Sequence, residues 1–370
     1  MADLSKGVTA AATVIAAGLA LHRWWWRRRM LPIGPCEALR VEELPVGDSL
    51  IMLNANGLTR YNLDCGALDH SQPVTILVHG VSSPGVDIWR GLSAQLRADG
   101  RCVLAYDIAG RGWSRSTGAP FTIDLYVSQL EELLERVGLA TRRLHLVGWS
   151  FGAVIASNFA KRHQERVASL VMLAPGGFFQ KSHEECVGPL LGRGAKAVLA
   201  RAAFACVLRH TFKTRYKDEL RAMADGGAML RILHAHVDSN PGLLRAYIGT
   251  AVDCPETIDN RQTLRALASA AVPILLIFAK SDGAVGPPPT AASLRELLPK
   301  ARVEVLDAPA IDHALHLTHP RLVLPLIQGF IKAAGSTENS TSTENSTEAE
   351  LERELSLSER VRARCIRHSP

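Results

Sequence analysis

No CxxC pair occurs in this 370-residue chain, and no cysteines and histidines cluster at metal-ligand spacing. Structural zinc and dithiol redox motifs are therefore not indicated, and neither a metal nor an organic cofactor is implied. The seven cysteines (Cys36, Cys65, Cys102, Cys186, Cys206, Cys254 and Cys365) are scattered and odd in number, which predicts free thiols in a reducing compartment. No nucleic-acid-binding motif accompanies the net charge of +6. Nor does any apolar run reach the roughly 20 residues that a membrane-spanning helix needs. The longest, Gly7 to Leu21, ends in Trp24-Trp25-Trp26 and Arg27-Arg28-Arg29. Tryptophans settle at the headgroup level, and arginines beyond the run hold that side in the cytosol. Residues 1–30 are thus expected to be a short membrane anchor, with the body of the chain cytosolic on the endoplasmic reticulum or the mitochondrial outer membrane. The alternative is a cytoplasmic chain whose first helix is amphipathic or buried.

What remains is ordinary for a globular protein: 47% hydrophobic and 21% charged residues. Ten Lys/Arg against four Asp/Glu lie between Leu191 and Thr250, either a surface for anionic lipid or substrate or a solvated helix face. Two early strands are expected over Leu39–Leu44 and Leu50–Asn56. Continuous apolar runs at Val74–Val78, Cys102–Tyr106, Leu144–Trp149, Val167–Ala174 and Ile274–Phe278 read as strands buried on both faces; Val303–Leu306 reads as the last strand. Helical periodicity appears over Ile88–Leu96, over Thr122–Val137 with Thr122 as a possible cap, and over Arg321–Ala333. Strand and helix in alternation predict a mostly parallel sheet flanked by helices. From 176 to 260 the alternation stops and only helical patterns remain, which suits an inserted lid. The hexapeptide Ser-Thr-Glu-Asn-Ser-Thr occurs twice in Ser336–Thr347. With nothing to bury, the tail 335–370 is expected to be disordered.

The strand Leu144–Trp149 runs into Gly148-Trp149-Ser150-Phe151-Gly152 and then into an apolar helix. A serine hydroxyl is a poor nucleophile unless held exposed beside a base, and a sharp strand-to-helix turn holds it so. Glycines on both sides remove side chains that would clash, and a helix start presents free N–H groups. A glycine-flanked serine that merely caps a helix reads the same way locally. A base and an acid must complete the set. Asp282 follows the Ile274–Phe278 strand and His313 follows the final one, so both fall at the carboxyl edge of a parallel sheet. Asp282 alone is equally an Asp-Gly turn residue. His316 and His319 are rivals to His313, Asp307 and Asp312 are rivals to Asp282, and His79 reads as a loop brace.

With these pieces in order, residues from about Glu42 to Ala333 resemble an α/β-hydrolase-fold protein. The matching segments are His79-Gly80, Asp107-x-x-Gly110-x-Gly112-x-Ser114, the Gly148–Gly152 elbow, Asp282 and His313. The resemblance implies an eight-stranded, mostly parallel sheet flanked by helices, with core segments 39–175 and 261–334 and a helical cap over 176–260. It implies Ser150 as nucleophile, His313 as general base and acid, Asp282 as the group orienting it, and the backbone N–H groups of Val81 and Phe151 as an oxyanion hole. Relatives that open epoxides or remove halide carry aspartate at the elbow, so serine points to acyl transfer. The substrate implied is an ester, as a small molecule or an apolar lipid of the monoacylglycerol kind. Carbon–carbon bond hydrolysis on the same triad, and a non-catalytic binding protein, are the alternatives. Two positions depart from the family pattern: Ala153 after the elbow, and Asp312 before the histidine, where glycine is common. The second either raises the histidine pKa or only reshapes the loop.

Overall fold

The computed structural model describes residues 44, 46–66, 72–81, 85–116, 120–191 and 241–339, with scattered positions between 200 and 237. Eight strands form one sheet: β1 Asp48–Leu53, β2 Gly57–Asp64, β3 Val74–Val78, β4 Val103–Tyr106, β5 Leu144–Trp149, β6 Val167–Leu173, β7 Ile274–Ala279 and β8 Arg302–Leu306. Their spatial order is β1-β2-β4-β3-β5-β6-β7-β8. β2 pairs antiparallel with β1 and with β4, and every other pairing is parallel.

The helices, also in chain order, are α1 Arg90–Ala98, α2 Ile123–Arg136, α3 Phe151–Arg162, α4 His183–Leu191, α5 Pro241–Asp253, α6 Arg261–Ala268, α7 Ala291–Leu297, α8 Leu315–Thr318 and α9 Pro320–Asn339. Alternate residues of the central strands feed two cores. Ile76, Leu104, Leu146 and Met172 pack with Leu130 and Leu134 of α2, Phe159 of α3 and Leu264 of α6. Leu77, Val103, Val147 and Val171 pack on the other face with Leu96 of α1 and Val323 and Ile327 of α9. Because both faces are covered, the strands need apolar residues without alternation, and this is why β3, β5 and β6 are continuous runs.

Several expectations shift. β2 was not anticipated. Its fourth residue is Arg60, an arginine in the middle of what would otherwise read as a half-buried strand. The guanidinium is fully buried; it donates to Asp48 and, through two bonds of 2.9 Å, to Asp87, and it lies 3.7 Å from the Asp107 carboxyl. These carboxylates hold the Arg60 pKa above its ordinary value despite burial. The expected strand over Leu50–Asn56 is displaced to β1, and the one over Leu39–Leu44 falls outside the described residues apart from Leu44. Thr122 precedes α2, but its side chain makes no capping bond.

Cys65 and Cys102 form a disulfide where free thiols were expected. The antiparallel register of β2 and β4 ends at Asp64↔Val103. One step further it brings these two cysteines together, 37 residues apart in sequence. Cys186, Cys206 and Cys254 are free. The last helix continues to Asn339 rather than stopping at Ala333, because extending an existing helix costs far less than starting one.

Between β6 and β7 the described residues hold helices and one isolated bridge, Phe178↔Asp259. Among the described residues no helix is long and apolar enough to cross a membrane. The segment 1–30 and residues 340–370 lie outside them.

Candidate active site

The parallel register decides which loops meet. Val78 pairs with Tyr106 on one side and with Gly148 on the other. The segments after β3, β4 and β5 therefore leave the sheet side by side. Those after β7 and β8 leave the same edge, bringing residues 282 and 313 to residue 150.

Ser150 sits at the end of β5 with φ 56° and ψ −119°, a conformation that L-residues rarely adopt. Three backbone bonds hold it. Its N–H donates to the Leu173 carbonyl at 2.9 Å, and its own carbonyl accepts from Ala153 at 3.1 Å and Gly176 at 3.2 Å. The flanking glycines are required by approach distances. A Cβ on Gly148 would lie 2.4 Å from the Gly152 carbonyl oxygen, and one on Gly152 would lie 2.0 Å from the Val78 carbonyl oxygen.

The second clash is with strand backbone, which cannot yield. Gly152→Ala should therefore cost about 3 kcal/mol, the upper end of the usual range for overpacking. Gly188→Ala in α4, where nothing lies within 4 Å, should be neutral or mildly stabilising. Urea midpoints of the two variants test this, and equal midpoints would show that the elbow tolerates a methyl group.

His313 Nε2 lies 2.9 Å from Ser150 Oγ, and its Nδ1 lies 2.8 Å from Asp282 Oδ2. The other Asp282 oxygen accepts from the amides of Ala284 at 2.8 Å and Val285 at 3.0 Å. Burial pushes the Asp282 carboxyl up, but the bond and charge of His313, with the two amides, outweigh it and hold the group below the usual range. All three residues are buried. A hydroxyl bonded to an imidazole, itself held by a carboxylate, can lose its proton as it attacks an electrophilic carbon. Phe151 opens α3, so its amide has no acceptor within the helix.

The rivals have other partners. Asp307 pairs with Lys280 at 2.5 Å. His319 lies 2.8 Å from Thr318 Oγ1 and 3.1 Å from the Pro309 carbonyl. His79 braces the loop: Nε2 accepts from the Ile108 amide at 2.9 Å, which leaves the proton on Nδ1 to donate to the Gly80 carbonyl at 2.8 Å. Asp312, the departure from glycine, accepts from the Gly283 amide at 2.7 Å. It thereby ties the loop of His313 to the loop of Asp282.

His316 is buried against Trp89 and Trp149, with ring centroids 4.7 and 4.9 Å away. Burial, then the neighbouring His313, pushes its pKa down to about 3. The sign of the stability effect follows. Below pH 6.5 the unfolded chain binds a proton at His316 that the folded chain refuses, so acid destabilises the fold down to about pH 3. His316→Phe removes that difference. Its stability relative to wild type should rise by about 1.4 kcal/mol per pH unit between pH 6 and pH 4, as measured in urea. A stability difference that does not vary with pH would show that His316 is protonated in the fold.

Two contributions were missed in the sequence. Trp149 Nε1 donates to the His313 carbonyl at 2.8 Å, fixing the histidine loop against the elbow; the aromatic residue beside Ser150 was its only signal. Asp107, the first residue of the glycine-rich motif after β4, accepts from the amides of Val86 and Trp113, both at 2.7 Å. It thus clamps two loops at this edge. Burial drives its carboxyl up to about 7, against the pull of Arg60 and the Trp113 amide.

Residues 75–326 match the model of the Alpha/beta hydrolase family. Among curated proteins, the chain is 27% identical over 263 residues to a pimeloyl-[acyl-carrier protein] methyl ester esterase of Aeromonas hydrophila, covering 70% of this chain and 95% of the relative. It is 25% identical over 162 residues to the monoacylglycerol lipase abhd6-B of Xenopus laevis, covering 44% and 43%. Among solved structures, MGS-M2, an alpha/beta hydrolase enzyme from a Medee basin deep-sea metagenome library, superposes with a TM-score of 0.60 at 19% identity, over 81% of this chain and 100% of the other. At that identity the superposition speaks for the fold.

Proposed function

The chain belongs to the alpha/beta hydrolase family, and on that premise we propose that it is a serine hydrolase that cleaves carboxylic esters of apolar acyl groups, monoacylglycerol-like lipids among them. The observation that carries this reading is the unbroken run Ser150 Oγ–His313–Asp282, with separations of 2.9 and 2.8 Å. Ser150 attacks the ester carbonyl while His313 Nε2 takes its proton. The tetrahedral oxygen anion is received by the amides of Val81 and Phe151. His313 returns the proton to the departing alcohol, leaving an acyl group on Ser150. Water, deprotonated by His313, then releases the acid and restores the hydroxyl. Asp282 holds the imidazole in the tautomer with its proton on Nδ1 and stabilises the imidazolium that forms.

The esterase and lipase relatives support the ester, and the two act on different acyl esters by their names. The helices between β6 and β7 support an apolar substrate, since a cap of that kind can shield the acyl chain from water. Residues 1–30 would serve to hold the enzyme at a membrane surface, with its site in the cytosol.

The test is labelling by a fluorophosphonate probe, together with turnover of a series of acyl esters from C4 to C16 that includes monoacylglycerols. Labelling and increasing kcat/KM with chain length are expected. No labelling would remove the serine mechanism, and labelling with turnover of short esters alone would remove the lipid substrate. Cell fractionation with and without residues 1–30 tests the anchor; equal solubility would overturn it.

A further inference from the structure

Arg111 lies in the glycine-rich turn after β4 and is fully buried. Among the described residues no carboxylate pairs with it. All five of its N–H groups have neutral acceptors instead. Nε donates to the Val81 carbonyl at 3.2 Å. Nη1 donates to the Ala109 carbonyl at 3.0 Å and to Tyr126 Oη at 2.7 Å. Nη2 donates to the Ala246 carbonyl at 3.2 Å and to Thr250 Oγ1 at 2.7 Å. The rings of Phe121 and Tyr126 flank the cation at 6.0 and 5.7 Å. Burial keeps the Tyr126 phenol protonated, so it accepts from Arg111 and donates to Thr250, 2.5 Å away.

Burying a cation without a counter-charge is costly, and an apolar side chain could fill the space without that cost. With every donor engaged and no exposed surface, Arg111 has no hydrogen left for a substrate. What the arrangement does is bond one buried cation to three separate elements. Ala246 and Thr250 belong to α5, in the insertion between β6 and β7. Tyr126 belongs to α2, and its ring stands edge-on to Phe151 at 4.9 Å. Val81 follows the His79-Gly80 loop. The peptide plane that contains the Val81 N–H is held at the Gly80 carbonyl by His79, and the next plane is held at the Val81 carbonyl by Arg111.

We infer that Arg111 is a positioning residue that sets the Val81 amide for the oxygen anion and ties that amide to the cap helix α5. The inference rests on the reading of the protein as an ester hydrolase. Its consequence is selective: the transition state loses a donor, whereas the bound ester does not.

The experiment uses the full chain and three variants: Arg111→Met, Arg111→Lys and Thr250→Val. Arg111→Met should lower kcat about 100-fold, the scale of losing one donor to the oxygen anion, with KM changed less than twofold. Arg111→Lys cannot reach five acceptors and should recover less than a tenth of the loss. Thr250→Val keeps the arginine and the shape of the helix, and should lower kcat about 5-fold. A trifluoromethyl ketone, whose adduct on Ser150 places an oxygen anion in the same position, should bind each variant more weakly in proportion to its loss of kcat. That proportionality would not arise from a role in stability alone. If Arg111→Met fails to fold, Thr250→Val with the ketone decides. Wild-type kcat and ketone affinity retained in a folded Arg111→Met or in Thr250→Val, or losses in kcat without parallel losses in ketone affinity, would overturn the inference. A wild type that neither labels with fluorophosphonate nor turns over any ester would instead overturn the functional reading.

Discussion

Ser150→Ala is expected to lower kcat for any ester the protein turns over by about 10⁶-fold and to abolish fluorophosphonate labelling. The size follows from the geometry. The hydroxyl oxygen is the only heavy atom removed, and without it the 2.9 Å contact with His313 has no proton to move. The residual rate would come from the remaining donors and from binding, at about 10³-fold over water. Folding should be unchanged. The backbone of residue 150 already stands at φ 56° with a β-carbon present, and its three backbone bonds do not involve the hydroxyl. A melting temperature equal to wild type, with activity lost, separates chemistry from stability. Ester turnover retained within tenfold would show that another group attacks.

Asp282→Asn should cost about 10⁴-fold in kcat while leaving the fold in place. The asparagine oxygen can keep the amides of Ala284 and Val285, which Asp282 Oδ1 now accepts from. The amide nitrogen then faces His313 Nδ1 and donates to it, which moves the ring proton to Nε2, where it cannot accept from Ser150. The imidazolium formed during attack also loses its counter-charge. Asp282 is held below the usual carboxylate range, so its contribution is present at neutral pH and lost only as acid titrates it below about pH 4. The loss in kcat for Asp282→Asn should therefore be present throughout pH 6–9, measured beside wild type at each pH. Activity within tenfold of wild type would assign the orienting role to another carboxylate.

Much of this architecture could be read from neighbours in the chain. The buried strands announced themselves as apolar runs, since a strand covered on both faces has no polar side. The elbow was legible because Gly148 and Gly152 are required by clashes within a few residues of Ser150 or with the adjoining strand. Chain order and position at strand ends made Asp282 and His313 candidates among rivals, the family resemblance named them, and the structure brings both to Ser150. Asp312 was noticed as a departure, but its partner, the Gly283 amide, was not.

The buried charges were not legible. Arg60 in β2 and Arg111 in the turn after β4 each look like surface arginines, and Arg60 hid its strand. What settles them is the company they keep. Asp87 lies 27 residues from Arg60, and Thr250 lies 139 residues from Arg111. Local patterning determined which segments form the sheet and where the chain turns at Ser150, because strand periodicity and backbone clashes act over a few residues. Only the tertiary structure decided which cations go inside, which cysteines meet and how the cap helix reaches the Val81 loop, because the cost of burying a polar group depends on partners that folding alone assembles.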